Sequence, residues 1–283
     1  MERTKNILLA TACLVFACGA TLAQSEMTVP KELLDRLAES AARFVESYQD
    51  LAAEEALVQT KYNRKGQPET ERRIVSDFAV LRMGGEGRGE LVELRDAVTV
   101  DGKEIMNAEQ RQARWTRLAA AGTRAEAAAL FREAPAHRLF REQFEGLALL
   151  VNRFAERHRE KLKFQFAQER SESDDTGRHV ILSYRQSSGE GLMSLDGKPA
   201  MPAGRAWADP DSGAIWRIEE WFDAEKDTRY WMAVDFARDD RLGGNVLIRI
   251  VIRVLAKGRL ETQSEYSYSR IRRLERGTRA SAP

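Results

Sequence analysis

Seven segments between Leu162 and Leu274 alternate in the period-two manner of β-strands, each set off from the next by turn residues. That pattern commits the second half of the chain to an antiparallel sheet. The segments are Leu162 to Gln168, His179 to Arg185, Arg205 to Ala208, Ile215 to Phe222, Thr228 to Phe236, Val246 to Leu255 and Leu260 to Leu274. Val246, Ile248, Ile250, Ile252 and Val254 are expected on one face of their strand, with Arg249 and Arg253 on the other. Two neighbouring strands are apolar on both sides. Trp216, Ile218 and Phe222 oppose Ile215 and Trp221, and Tyr230, Met232, Val234 and Phe236 oppose Trp231 and Ala233. Such strands suit a long curved sheet whose aliphatic face covers helices.

The first half mixes periods. Leu33, Leu34, Leu37, Ala41, Phe44, Val45, Tyr48, Leu51 and Ala52 recur at three- and four-residue steps, predicting an amphipathic helix over Lys31 to Leu57. Leu57 to Tyr62 and Glu69 to Met83 then read as a hairpin turning at Asn63 to Gly66. The glycine-rich Gly84 to Gly89 is a turn, Glu90 to Val100 a further strand, and Asp101-Gly102 a tight turn that tolerates positive φ. From Asn107 the pattern is helical again. Asn107 with Gln110, and Thr123 with Glu126, have capping-box spacing, and a third helix is expected after Pro135 through Phe154. These helices, an insertion at about 107–156, are expected to form a layer on one face of the sheet.

The N-terminus carries an expectation about compartment. Glu2, Arg3 and Lys5 precede an apolar run from Ile7 to Phe16 and small residues from Ala17 to Ala23, the layout of a signal peptide covering 1–23. Both cysteines, Cys13 and Cys18, fall inside it, so cleavage after Ala23 leaves a thiol-free chain with no disulfide or thiolate metal site. The alternative is acylation of Cys18, because Val15-Phe16-Ala17-Cys18 has the outline of a lipobox with an oversized Phe16. A periplasmic or secreted protein follows, lipid-anchored in the alternative. The remaining chain, 24–275 as one α+β domain with a tail at 276–283, has no further run long enough to span a membrane. The 45 basic and 44 acidic residues become equal in number once Glu2, Arg3 and Lys5 are removed. Nothing in that balance supports nucleic-acid binding, which requires a basic footprint.

Motifs for catalysis and metals are absent from the sequence. His137, His158 and His179 are not spaced to share a metal on a helix, and no His-Glu-x-x-His or Gly-x-Ser-x-Gly occurs. Asp209, Asp211 and Glu220 occupy the first, third and twelfth places of a calcium-loop spacing, but the sixth is Ala214 instead of glycine. No metal, no cofactor and no catalytic residue is therefore expected.

The most distinctive segment runs from Gly204 to Glu219: an aromatic strand, the turn Asp209-Pro210-Asp211-Ser212-Gly213, and a strand of alternating apolar and charged residues. It resembles a hairpin of the periplasmic lipoprotein carriers, the LolA and LolB-like family. The order of elements is similar too. The closing strand, Tyr266-Ser267-Tyr268-Ser269-Arg270-Ile271-Arg272-Arg273, is similar to those of uncharacterised secreted bacterial proteins. The helical insertion is larger than in the carriers, and no position matches their functional arginine. The resemblance implies an α+β fold in which a long curved antiparallel sheet, a half-barrel, wraps over the N-terminal helix and the inserted helices. It further implies an exported, non-catalytic binding protein for a lipid, a lipoprotein acyl chain or another apolar ligand. Trp216, Ile218, Tyr230, Met232, Phe236, Ile248, Ile250 and Ile252 are the expected lining. The competing expectation is a scaffold or sensor whose cavity is filled by its own helices and whose surface binds another envelope protein.

Overall fold

The computed structural model describes residues 27–83, 90–121, 123–130, 137–140, 147–174, 177–188, 193–195, 198–224 and 227–274. The expected signal segment with Cys13 and Cys18, the Gly84 to Gly89 turn and the 276–283 tail lie outside the described residues.

In chain order the elements are β1 (Met27–Thr28), α1 (Lys31–Tyr48), β2 (Leu51–Tyr62), β3 (Pro68–Met83), β4 (Glu90–Val100) and β5 (Lys103–Glu104). Next come α2 (Ala108–Ala120), α3 (Arg124–Leu130), α4 (Leu147–Asn152) and α5 (Glu156–Lys161). The remaining strands are β6 (Phe164–Asp174), β7 (Gly177–Gln186), β8 (Met193–Leu195), β9 (Lys198–Ala200), β10 (Ala203–Ala208), β11 (Ile215–Ala224), β12 (Thr228–Asp239), β13 (Gly244–Ala256) and β14 (Arg259–Arg273). Twelve of the strands form one antiparallel sheet in the order β1-β6-β7-β10-β11-β12-β13-β14-β2-β3-β4-β5. Its ends do not pair, so the sheet is an open, curved half-barrel, as the α+β reading expects.

The topology positions α1. β1 is added at one edge, beside β6, while β2 lies eight positions along from it, between β14 and β3. An 18-residue helix, about 27 Å long, therefore crosses the inner face from one side to the other. Leu33, Leu37, Ala41, Phe44 and Tyr48 are its buried stripe.

The helix is shorter than the spacing predicts. Asp50 adopts a left-handed φ of 51°, which aspartate tolerates, and β2 begins at Leu51. Leu51 and Ala52 satisfy a helical period and a strand period equally. Pairing of Ala52 with Ala79 on one side and Arg272 on the other decides for the strand.

Both predicted capping boxes form. Gln110 N donates to Asn107 Oδ1 and Asn107 N to Gln110 Oε1, with the same reciprocity between Thr123 and Glu126. Two features of the insertion differ from expectation. Leu139 and Phe140 are not helical; among the described residues the helix expected after Pro135 through Phe154 is represented by α4, and Phe144 lies outside them. The layer is also split between faces. Leu150, Val151 and Phe154 join α1 in the main core on the inner face, whereas Leu118 and Ala127 of α2 and α3 pack outside on Ala79, Leu81, Val92 and Leu94. The cause lies in β3, whose Phe78 and Val80 face the inner core while Ala79 and Leu81 face the outer one. Asp77 and Asp96 stand opposite each other on that outer face. α2 neutralises both, through Arg111 at 2.6 and 2.8 Å from Asp77 and through an Arg114–Asp96 ion pair.

Candidate functional site

Asp209 Oδ1 organises the turn between β10 and β11, accepting from Asp211 N at 2.9 Å, Ser212 N at 2.6 Å and Ser212 Oγ at 2.9 Å. Burial pushes the Asp209 carboxyl up, but these hydrogen bonds outweigh it and hold the group below the ordinary aspartate range. Gly213 closes the turn at φ +70°, donating to Asp209 O at 2.9 Å. A Cβ placed there would stand 2.4 Å from the carbonyl of Arg36, so this turn sits directly on the backbone of α1.

Beside that contact lies a cleft of about 400 Å³ between α1, α4, the β10–β11 turn and the β12–β13 turn. Its floor is Phe44, Val151, Ile215 and Phe236, all members of the main core. Its rim is polar: Ser40, Arg43, Ser47, Ser212, Arg238, Asp240 and Asn245. Gly243 and Gly244 line the cleft from the β12–β13 turn, and a Cβ on Gly244 would be in ordinary contact with Ser47 Oγ at 3.8 Å. An apolar floor under a polar rim is the composition of a small-ligand site, and the volume falls in the range of roughly 300–1,000 Å³ such sites occupy.

The expected lining residues separate into groups. Ile218, Met232, Phe236 and Ile250 are buried in the inner core, with Ile252 partly buried against it. Phe236 alone of the eight lines the cleft. Tyr230 is partly exposed and stacks on Phe222 at 5.1 Å. Trp216 and Ile248 are not on the inner face, and bulges explain both. Trp207 pairs with Arg217 and Ala208 with Ile215, leaving Trp216 as the extra residue. Ile215 takes the core position, and the Trp216 ring lies 6.2 Å from His179 on the opposite side. Likewise Asp235 pairs with Arg249 and Phe236 with Leu247, so Leu247 is buried and Ile248 is 37% exposed. Strict alternation fails wherever one strand gains a residue.

Two buried polar clusters went unread in the sequence. In the first, on β2 and β4, Arg95 Nε donates to Glu55 at 2.8 Å, Glu93 lies 3.4 Å from the same guanidinium, and Tyr48 donates to Glu93 at 3.3 Å. Burial alone would lower Arg95, but Glu55, Tyr268 and Glu93 hold it well above its ordinary value. The second cluster joins the helical segment to the sheet. Arg153, just after α4, pairs with Glu220 of β11, and Tyr184 of β7 donates to Glu220 at 2.9 Å. Burial lowers Arg153 and pushes Tyr184 up to about 12. Glu220, the twelfth place of the calcium-loop spacing, thus serves an internal ion pair. Gly204 makes room for this cluster, since its Cβ would lie 2.5 Å from the Tyr184 ring.

No family model matches this sequence, and no curated protein is similar to it. Among solved structures the chain is similar to a LolA superfamily protein from Nitrosomonas europaea, at 12% identity over 86% of this chain and 92% of that one, with a TM-score of 0.34. It is also similar to a DUF1329 family protein from Desulfovibrio piger, at 12% identity over 89% and 94% of the respective chains, with a TM-score of 0.36. The strand pairings define the architecture on their own terms: an open antiparallel half-barrel crossed by one helix, with a cleft at that helix's flank. No helix among the described residues is long and apolar enough to cross a membrane.

Proposed function

We propose that this is an exported, non-catalytic binding protein whose ligand is a lipid, an acyl chain or a similar apolar molecule. Residues 1–23 would direct its export to the bacterial envelope. One observation carries the reading. The cleft beside α1 has a floor built from the main core itself, so an apolar chain entering there meets Phe44, Val151, Ile215 and Phe236 without any new surface having to form. Each 100 Å² of ligand surface buried on that floor contributes about 2.5 kcal/mol.

The competing scaffold reading draws on a different fact. Ile218, Val234 and Ile250 are almost fully buried together with α1, so the chain fills its own inner face there. Native mass spectrometry of protein purified from its own envelope separates the two. The binding reading expects a copurifying lipid near unit stoichiometry, lost in Ser47→Trp, which fills the cleft, at an unchanged melting temperature. An apo mass together with no uptake of added laurate would refute it in favour of the scaffold.

A further inference from the structure

We infer that the cleft selects a single-chain amphiphile with an anionic headgroup, a carboxylate or a phosphate. This rests on the proposed binding reading and adds the chemistry of the ligand's polar end. The rim holds two guanidinium groups, Arg43 on α1 and Arg238 at the end of β12, and one carboxylate, Asp240. The same cleft is lined by short hydroxyl and amide groups, Ser40, Ser47, Ser212 and Asn245. The Asn245 amide is committed to Ile215 O at 2.8 Å.

The present partners of the two arginines are weak ones. Arg43 reaches Ser212 O at 3.5 Å and Glu39 at 3.8 Å, with side chains 61% and 71% exposed in that ion pair. Arg238 pairs with Asp240 at 2.6 Å, two residues along its own strand end, at 71% and 80% exposure. Exposed pairs of this kind contribute little, because solvent screens them and ordering two long side chains opposes them. An anion seated at the rim replaces them at small cost and receives charge-assisted hydrogen bonds from two directions. Its chain then lies on Phe44 and Phe236, where no charge is required. A cationic headgroup would meet two like charges against the one carboxylate of Asp240, and an uncharged one would leave both guanidiniums with their present partners.

The test is a binding panel of four twelve-carbon ligands below their micellar concentrations: laurate, dodecyl phosphate, dodecanol and dodecyltrimethylammonium. Laurate or dodecyl phosphate should bind about tenfold or more tightly than dodecanol at low salt, with dodecyltrimethylammonium weakest. The order of the first two separates a carboxylate ligand from a phosphate one. In Arg43→Gln/Arg238→Gln, two surface changes whose folding is checked by thermal melting, the preference for the anion over dodecanol should fall towards one. Equal binding of laurate and dodecanol by the native protein, both lost in Ser47→Trp, would overturn the anion preference and leave the apolar cleft standing. A tenfold preference that survives the double substitution would place the anion elsewhere and also overturn it. Failure of all four ligands to bind would remove the binding reading itself.

Discussion

Replacing Gly213 by alanine tests whether the β10–β11 turn clamps α1. Two separate costs add at this position. Gly213 has a φ of +70°, and an L-residue held in that region loses roughly 1–2 kcal/mol. The new Cβ would also lie 2.4 Å from the carbonyl carbon and oxygen of Arg36 and 2.7 Å from Leu37 N. Those are backbone atoms of a helix whose next buried residues are Leu37, Ala41 and Phe44, so relief requires α1 to shift by about 1 Å against a packed core. Overpacking of that order costs roughly 1–3 kcal/mol. The total is about 2–5 kcal/mol. Gly66 supplies the control, because its φ of +76° carries the same backbone cost with nothing within 4 Å of a Cβ. In urea titrations at constant slope, Gly213→Ala should lose about 1–3 kcal/mol more than Gly66→Ala. Equal losses, within about 0.5 kcal/mol, would mean that the turn does not rest on α1.

Three further outcomes are expected. Glu220→Gln should destabilise by roughly 3–5 kcal/mol by leaving Arg153 buried without its counter-charge, and Arg153→Met/Glu220→Leu should recover most of that loss in the same titration. Burial holds the Tyr184 hydroxyl at about 12, above the ordinary tyrosine value of 10.0, so its contribution is fully present below pH 10 and is lost as pH rises towards 12. That amounts to roughly 2–3 kcal/mol; phenolate absorbance should rise together with loss of tertiary signal, and Tyr184 ionising in a still-folded protein would refute the burial. Arg111→Met should cost about 2 kcal/mol by uncovering Asp77 opposite Asp96, and Asp77→Asn in the same chain should restore part of it, as read by the denaturation midpoint.

The extent to which this fold is legible in the sequence depends on how local each determinant is. Turns and caps depend on neighbours in sequence. The Asp101-Gly102 turn, the Asn107 and Thr123 boxes and the Asp209-to-Gly213 turn were all readable, and they stand where the residues indicate. Bulges depend on the partner strand. Nothing in Ala214 to Phe222 announces that Trp216 is the unpaired residue, since the extra position appears only when Trp207 and Ala208 are set opposite it. The buried charges are hidden for the same reason. Glu55, Arg95, Arg153 and Glu220 look like solvent-facing residues until pairing over 40 or 67 positions brings them together. The cleft was missed because Arg43, Ser47 and Arg238 look like ordinary surface positions on their own elements and meet only when α1 and the β12–β13 turn are brought side by side.

The fastening of α1 connects these features to the proposed site. Near its start the helix is held by Gly213 against Arg36 and Leu37, and at its end by Tyr48 donating to Glu93 in the Arg95 cluster. Between those two points its cleft-facing residues are Ser40, Arg43, Phe44 and Ser47. Of these only Phe44 is a core residue, and it stacks on Tyr48 at 5.1 Å and meets Phe236 edge-on at 5.3 Å. A ligand entering there displaces contacts made by serine side chains and the exposed ion pairs of Arg43 and Arg238, while both ends of the helix stay anchored. On the binding reading, entry therefore needs no unfolding of α1. Phe44→Ala, which removes one ring of the floor, should weaken laurate binding as well as lower stability by about 3–5 kcal/mol. Unchanged laurate affinity in a folded Phe44→Ala protein would show instead that the chain does not lie on this ring and that laurate binds elsewhere.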